Sequence, residues 1–285
     1  MKIREKRHPH WLKVPFPAGQ NFSDLKKLVR SKNLHTVCES AHCPNIGECW
    51  NNRTATFMIL GDICSRNCHF CAVKKGILNG LIDEDEPRRI AEAVAQMNLI
   101  YAVITSVTRD DVNDGGASIF ARTIGEIRKK KPNCKIEVLI PDFQGDVDSL
   151  QQVIHMKPDI INHNMETVPR LYQSVRPQAD YQRSLNIIHQ VHQSGIYSKS
   201  GLMLGLGETE EELKHVLLEL YQHGCDFITL GQYLQPSKHH LPIVSYIPPD
   251  KFAEYRTYGL ELGFKHVESG PLVRSSYHAA SQFTG

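Results

Sequence analysis

The sequence predicts an α/β fold: a partial (β/α)6 TIM-like barrel with an N-terminal cysteine-rich extension and a C-terminal extension. Three observations predict it. From residue 56 onward, apolar runs of strand length recur at 56–60, 101–105, 135–140, 159–162, 197–204 and 226–230. Amphipathic stretches separate them, and strands alternating with helices imply a parallel sheet with right-handed crossovers. At 285 residues the chain is long enough for one large core. Six strands fall short of the eight that close a barrel, so an open partial barrel is the first expectation and a flat doubly wound sheet the second.

The elements follow in order. Residues 1–55 lack clear periodicity, are rich in Pro, Asn, His and Cys, and read as an extension wrapped over the main body. They open with a cationic arm, Met1-Lys-Ile-Arg-Glu-Lys-Arg-His. A solvated terminus is its ordinary reading; steering toward an acidic partner is the functional one. The barrel spans 56–235. Its first helix is expected at 87–97, with Ile90, Val94 and Met97 on one face and Pro87 in the first turn. Further helices are expected at 117–131, 145–156, 181–193 and 208–223, the last with Glu208, Glu210, Glu211 and Glu212 near its start, where the helix dipole favours acid. Residues 236–285 form the C-terminal extension.

A net charge of +2 gives no general pull toward nucleic acid. No apolar run is long enough to span a membrane, and no apolar segment follows the first charges as in a secretory signal. A cytoplasmic protein is expected, and a monomer. In that compartment clustered cysteines bind metal or do redox chemistry more often than they form disulfides.

Six of the eight cysteines form two triplets, Cys38-x4-Cys43-x5-Cys49 and Cys64-x3-Cys68-x2-Cys71. Three thiolates are one ligand too few for a closed four-iron cluster, so each triplet leaves a metal position for something else. The second triplet directly follows the run 56–60, at the carboxyl end of a strand, where α/β folds place their chemistry. Thiolates select soft or borderline metals, chiefly zinc and iron–sulfur. Zinc held by Cys64, Cys68 and Cys71 with His69 or Cys49 stays open on spacing alone. Cys134 and Cys225, beside strand starts, read as core residues.

The stretch Cys64-Ser-Arg-Asn-Cys-His-Phe-Cys71 resembles the cluster loop of the radical S-adenosylmethionine superfamily. Cys38-Glu-Ser-Ala-His-Cys43-Pro-Asn-Ile-Gly-Glu-Cys49-Trp resembles the auxiliary-cluster motif of the lipoyl synthase family. Further stretches are similar to that family: Arg7–Val14, Thr105–Ala117, Asn162–Tyr172, Lys199–Glu208, Thr229–Ser237 and Gly270–Ala279. The resemblance covers roughly residues 7–280.

The resemblance implies two [4Fe–4S] clusters. Cys64, Cys68 and Cys71 would hold the one whose open iron chelates S-adenosylmethionine; its reduction would release a 5′-deoxyadenosyl radical. Cys38, Cys43 and Cys49 would hold the auxiliary cluster, with a serine of Arg274-Ser-Ser-Tyr277 as fourth ligand, Ser276 first and Ser275 as fallback. An alkoxide is a harder ligand than a thiolate, which suits a cluster meant to be consumed. The implied reaction inserts two sulfur atoms, at carbons 6 and 8, into an octanoyl chain amide-linked to a lysine of a carrier protein. Each insertion would use one S-adenosylmethionine, with the auxiliary cluster as sulfur donor. For S-adenosylmethionine contacts the family reading points to Gly115, Gly116, Asn164, Glu166, Lys199 and Gly205. Gly115 and Gly116 also read as a helix start, Lys199 as a plain strand residue, and no histidine is needed as a ligand. The implied partners are a dehydrogenase E2 lipoyl domain or glycine-cleavage H protein, a ferredoxin or flavodoxin as electron donor, and an iron–sulfur carrier that rebuilds the auxiliary cluster. A biotin-synthase-like sulfur inserter would share Cys64, Cys68 and Cys71 but leaves the first triplet and Arg274–Tyr277 unexplained. A non-catalytic zinc-stabilised α/β binding protein is the reading from another class.

Overall fold

The computed structural model describes residues 9–279 apart from 15 and 53, so the cationic arm at 1–8 lies outside the described residues. The strands are β1 (His35–Thr36), β2 (Thr56–Ile59), β3 (Ile63–Cys64), β4 (Lys74–Lys75), β5 (Tyr101–Ser106), β6 (Lys135–Leu139), β7 (Ile160–Asn162), β8 (Tyr197–Leu204), β9 (Phe227–Gln232) and β10 (His266–Gly270). The helices are α1 (Gln20–Ser31), α2 (Val37–Ser40), α3 (Ile46–Asn51), α4 (Glu86–Gln96), α5 (Ala117–Lys130), α6 (Val147–His155), α7 (Tyr172–Val175), α8 (Tyr181–Gln193), α9 (Glu210–Gln222) and α10 (Pro249–Leu262). The main sheet runs β1-β2-β5-β6-β7-β8-β9-β10, while β3 and β4 pair separately. Every pair in the main sheet is parallel except β1 with β2.

The sheet curls. Register places Tyr101, Val103, Ile160 and Phe227 on one face, and these residues of β5, β7 and β9 form a single buried cluster with Ala279. Non-adjacent strands meet across a face only when the sheet bends around it, as in the layered interior of a barrel. The two sides of the sheet also approach. Thr56 Oγ1 in β2 donates to Ser276 Oγ at 2.7 Å, although Ser276 follows β10 at the far end of the strand order. The partial barrel is therefore the correct expectation and the flat sheet is not.

The opposite face carries the larger core. Ala102, Ile104, Ile136, Val138 and Ile161 pack beneath Ile90 and Val94 of α4, Ile119, Phe120 and Ile124 of α5, and Leu150 and Val153 of α6. A second core joins Leu202, Leu204, Ile228 and Leu230 to α8, α9 and Phe252 of α10. Each fully buried side chain of this kind contributes roughly 1.5–3 kcal/mol. Three of the barrel's helix starts are capped by side chains: Asp146 accepts from Ser149 N–H, Asp180 from Arg183 N–H, and Thr209 with Glu212 forms a capping box.

Two segments carry more regular structure than the sequence pattern reveals. The segment 236–285 holds a further helix–strand unit, because α10 leads into β10, which extends the sheet as a seventh parallel strand. The N-terminal extension is also regular: α1 buries Leu25 and Val29, and β1 pairs antiparallel with β2.

Candidate active site

The second cysteine triplet sits in the loop that leaves β2, at the carboxyl end of the sheet. Cys64 closes β3, and Gly76 N–H donates to its carbonyl at 2.9 Å. Ser65 Oγ donates to the Thr108 carbonyl and accepts from Asp110 N–H, tying the loop to the end of β5. Arg66 is buried and grips Asp110 with two nitrogens, at 2.7 and 3.0 Å. Its Nη2 also reaches Asp142 at 2.5 Å, beyond β6, and Arg183 of α8 completes this network at 3.1 Å. Both carboxylates favour the Arg66 charge, and although burial acts against it, the guanidinium is held above its ordinary range; Asp142, buried yet paired, is held below its own. On the other side His69 N–H donates to the Val175 carbonyl, and His240 Nε2 bonds the Cys71 carbonyl.

The loop's thiols are partly buried. Burial pushes Cys71 up to about 12, with the neighbouring Cys68 and Cys64 adding repulsion, while a Val73 N–H favours its thiolate. Burial also raises Cys68, against the pull of Arg176. Glu166 repels both thiolates, so it lies beside them. Burial raises the Glu166 carboxyl, opposed by Arg176 and by the Asn164 amide, which donates to Glu166 Oε1 at 3.1 Å. Asn164 and Glu166 thus stand where the sequence places them, just past β7 and next to the cysteine loop. Arg176 gives Nη1 to the Asn164 and Met165 carbonyls and covers the Tyr172 ring. Neighbouring His163 is fully buried and is held down at about 4, first by burial and then by Arg176, so it is neutral. Buried polar atoms without partners collect at these strand ends: Ser106 Oγ, Asn164 Oδ1 and Arg176 Nε. An apolar wall of Val175, Leu206 and Tyr233, with Phe70, Met203 and Leu241 against it, flanks the same loop.

The first triplet is carried by α2 and α3. The Thr36 side chain caps α2, accepting from Glu39 N–H. Cys43 N–H donates to the Cys38 carbonyl at 3.0 Å, folding the chain back on itself. Burial raises the Cys38 thiol to about 11 and the Cys49 thiol to about 12, and Cys43 adds to both. Backbone N–H groups of Thr56 and Asn45 favour the thiolates of Cys38 and Cys43. The buried Trp50 indole N–H has no partner of ordinary geometry, yet it too favours the Cys38 thiolate.

The segment Arg274–Tyr277 joins the two groups. Ser275 Oγ accepts from the Asn164 amide at 2.8 Å, on the side of the second triplet. Ser276 Oγ bonds Thr56, whose backbone N–H faces Cys38, on the side of the first. Tyr277 OH bonds Glu48 at 3.1 Å, and Asn45 Nδ2 donates to the Leu272 carbonyl at 2.7 Å. Glycines make room for this segment. A Cβ on Gly231 would stand 2.1 Å from the Val273 carbonyl oxygen.

The other expected site residues have the following neighbours. The Lys199 ammonium is spent inside the barrel on Glu137, at 3.0 Å with both side chains fully buried, and Tyr101 OH donates to the same carboxylate at 2.6 Å. Gly116 is closed over by the Leu60 side chain, while the Asp114 carboxylate accepts from Gly116 and Ser118 N–H at the start of α5. Gly205 is covered by Gln232 and the Ser245 carbonyl, and its N–H donates to Glu208. Gly115 borders a polar cavity of about 310 Å³ shared with Asp110, Asp111 and Phe143. Arg66 and Arg176 were missed from sequence. Their partners are remote in the chain or are backbone carbonyls, so no local spacing reveals them.

Known proteins bear on these arrangements. A family model described as the radical SAM superfamily matches residues 58–220, and one for the N-terminal domain of lipoyl synthase matches residues 1–43. The chain is 56% identical to the lipoyl synthase of Rubrobacter xylanophilus, over 96% of this chain and 86% of that protein. It is 53% identical to the lipoyl synthase of Caldicellulosiruptor saccharolyticus, over 97% of this chain and 98% of that protein. Among solved structures it is similar in fold to a methylornithine synthase, with a TM-score of 0.55 at 13% identity over 88% of this chain and 82% of that one. It is also similar to an [FeFe]-hydrogenase maturase, with a TM-score of 0.52 at 16% identity over 95% of this chain and 65% of that one.

Proposed function

The chain belongs to the lipoyl synthase family of the radical S-adenosylmethionine superfamily, and we propose that it inserts sulfur at carbons 6 and 8 of an octanoyl chain borne on a carrier-protein lysine. One observation carries the reading to this chain's own residues. Two triplets of thiols, Cys38 buried and the rest partly so, are linked by a single segment, with Ser275 bonded beside one and Ser276 beside the other. The donor chemistry fits iron–sulfur groups. Within each triplet the thiolates repel one another, a burden that a cationic metal core removes. Backbone N–H groups and the otherwise unpartnered Trp50 indole favour thiolate sulfur, as expected around such clusters.

In this reading Cys64, Cys68 and Cys71 would hold a cluster, whose chemistry when bound would be to supply an electron to S-adenosylmethionine. Cys38, Cys43, Cys49 and Ser276 would hold the auxiliary [4Fe–4S] cluster, which would serve as the sulfur-donating substrate. Asn164, Glu166, Arg176 and Ser106 offer hydrogen-bonding groups to the polar cosubstrate beside Cys68. The wall of Phe70, Met203 and Tyr233 excludes water from the reactive carbon. The carrier is an E2 lipoyl domain or a glycine-cleavage H protein. A ferredoxin or flavodoxin gives the electrons, and an iron–sulfur carrier rebuilds the consumed cluster. No helix among the described residues is long and apolar enough to cross a membrane, and we place the reaction in the cytoplasm, on a monomer.

The test is anaerobic. Reconstituted protein receives reductant, S-adenosylmethionine and an octanoylated carrier domain, and intact mass follows the carrier. Two sulfurs added, with two 5′-deoxyadenosines per product, is the expected result. Deoxyadenosine without sulfur on the carrier would discard the assigned substrate.

A further inference from the structure

We propose that Arg274 is the counter-cation of the auxiliary cluster, an electrostatic partner that sets the cluster's potential and retains its iron. This rests on the reading that Cys38, Cys43, Cys49 and Ser276 hold a cluster.

Among the described residues, three of the four buried Arg and Lys side chains are paired with carboxylates. Arg66 has Asp110 and Asp142, Arg109 has Asp111, and Lys199 has Glu137. Arg176 lies on two carbonyls and an aromatic ring. Arg274 breaks the pattern. Among the described residues it makes no ion pair, and its one hydrogen bond is Nη1 to the Val273 carbonyl at 2.6 Å. A guanidinium offers five N–H donors, so most of its capacity is unspent. Protein surrounds it closely enough to disfavour its charge, yet the residue keeps some accessible surface.

The first triplet would supply the anion that completes it. Asn45 Nδ2 donates to the Leu272 carbonyl at 2.7 Å and Tyr277 OH bonds Glu48 at 3.1 Å, so the segment bearing Arg274 lies against the chain that carries Cys43 and Cys49. The other ionisable groups acting on the first triplet are Glu48 and the thiols themselves, all anionic when charged. A four-iron core of two positive charges bound by three thiolates and an alkoxide has a net charge of minus two. Burying that charge beside Glu48 without a cation would be costly. The guanidinium's planar fork can donate to cluster sulfur while its charge offsets the net charge. Arg274 is two residues from Ser276, so the oxygen ligand and the counter-cation arrive on one segment. Its place over β9 is fixed by Gly231, where an added Cβ would lie 3.3 Å from Nη1.

The experiment isolates this site in full-length protein carrying Cys64→Ala, Cys68→Ala and Cys71→Ala. Iron per chain is counted first. Absence of a cluster in that parent would sink the auxiliary-cluster reading, and the role of Arg274 with it, before any Arg274 variant is made. With the cluster present, reduction is followed by redox-titrated electron paramagnetic resonance, and iron loss by transfer to a chelator. Arg274→Gln is expected to move the potential negative and to speed iron loss several-fold, with Arg274→Lys restoring most of both. An unchanged potential and release rate in the glutamine variant would overturn the proposal. If the glutamine chain takes up no iron, uptake by the lysine chain supports the charge, and failure of both assigns Arg274 to packing and overturns it.

Discussion

Arg66 shows how much of a site can hang on one side chain. It stands inside the cysteine loop, yet its partners Asp110 and Asp142 lie 44 and 76 residues away. Removing it leaves Asp142, whose side chain is fully buried, with the longer contact to Arg183 and the Gln144 N–H at 3.1 Å. Breaking a buried pair costs about 3–5 kcal/mol, and Arg183 keeps Arg66→Met toward the lower end. The expected outcome is a lower unfolding midpoint together with loss of iron from the second triplet but not the first; equal loss from both would refute the local anchor. Glu86 gives a second residue-scale prediction. It is buried and accepts Leu60 N–H at 2.6 Å, and burial raises its carboxyl from 4.5 to about 7. A raised carboxyl means the folded state holds the extra proton. Its contribution is therefore fully present below about pH 4.5 and is lost as pH rises through about 7. Glu86→Gln should match the parent in urea melts at pH 4.5 and exceed it at pH 8 by roughly 1–3 kcal/mol. A gain of equal size at both pH values would discount titration as the cause. The cysteines were legible in sequence because metal chemistry demands that residue type at close spacing. Arg66 was not, because an ion pair leaves no spacing signature when its partners sit on other strands.

Elements read well where one face of them is apolar. The helices expected at 117–131 and 181–193 appear as Ala117–Lys130 and Tyr181–Gln193, because a buried helix face imposes a 3.6-residue period that survives in any context. Two elements were missed. In α1 the apolar set Phe22, Leu25, Leu28 and Val29 is diluted by charged neighbours. In β10 only Val267 is buried among five residues, so the strand carries no apolar run. Strand β9 allows a test of what the elements hold in place. Gly231 lies under the backbone of Val273, and a Cβ there would stand 2.1 Å from the carbonyl oxygen and 3.0 Å from its carbon. Backbone cannot swing aside as a side-chain tip can, so Gly231→Ala should push out the segment bearing Ser275 and Ser276. The expected phenotype is a folded protein that still releases 5′-deoxyadenosine but transfers little sulfur and loses auxiliary iron. Sulfur transfer at the parental rate would mean that the segment accommodates the methyl group.

At the scale of the whole molecule, the open side of the barrel is where both extensions meet. An unpaired sheet edge is a liability unless it is covered. Among the described residues the cover includes side-chain bonds between the two ends of the chain: Thr56 to Ser276, Asn45 to the Leu272 carbonyl, and Tyr277 and His278 to Glu48. These are few, and the Tyr277–Glu48 bond is solvent-exposed, so the seam alone is weak beside the packed helices of the outer cores. A cluster bound by Cys38, Cys43, Cys49 and Ser276 would cross-link the same two segments. Its binding free energy would then appear as local stability of the seam, because whatever binds only the closed form stabilises that form. Hydrogen exchange on iron-loaded and iron-stripped protein tests this. Stripping should raise exchange in residues 37–51 and 271–279 together, while α5 and α6, packed in the larger core, keep their protection. Restoring iron to a variant with Ser276→Ala should protect 37–51, where three thiolates still bind, and leave 271–279 fast. If both segments are protected equally without the Ser276 hydroxyl, the seam is held by the protein's own bonds and the serine is not the link between the two ends of the chain.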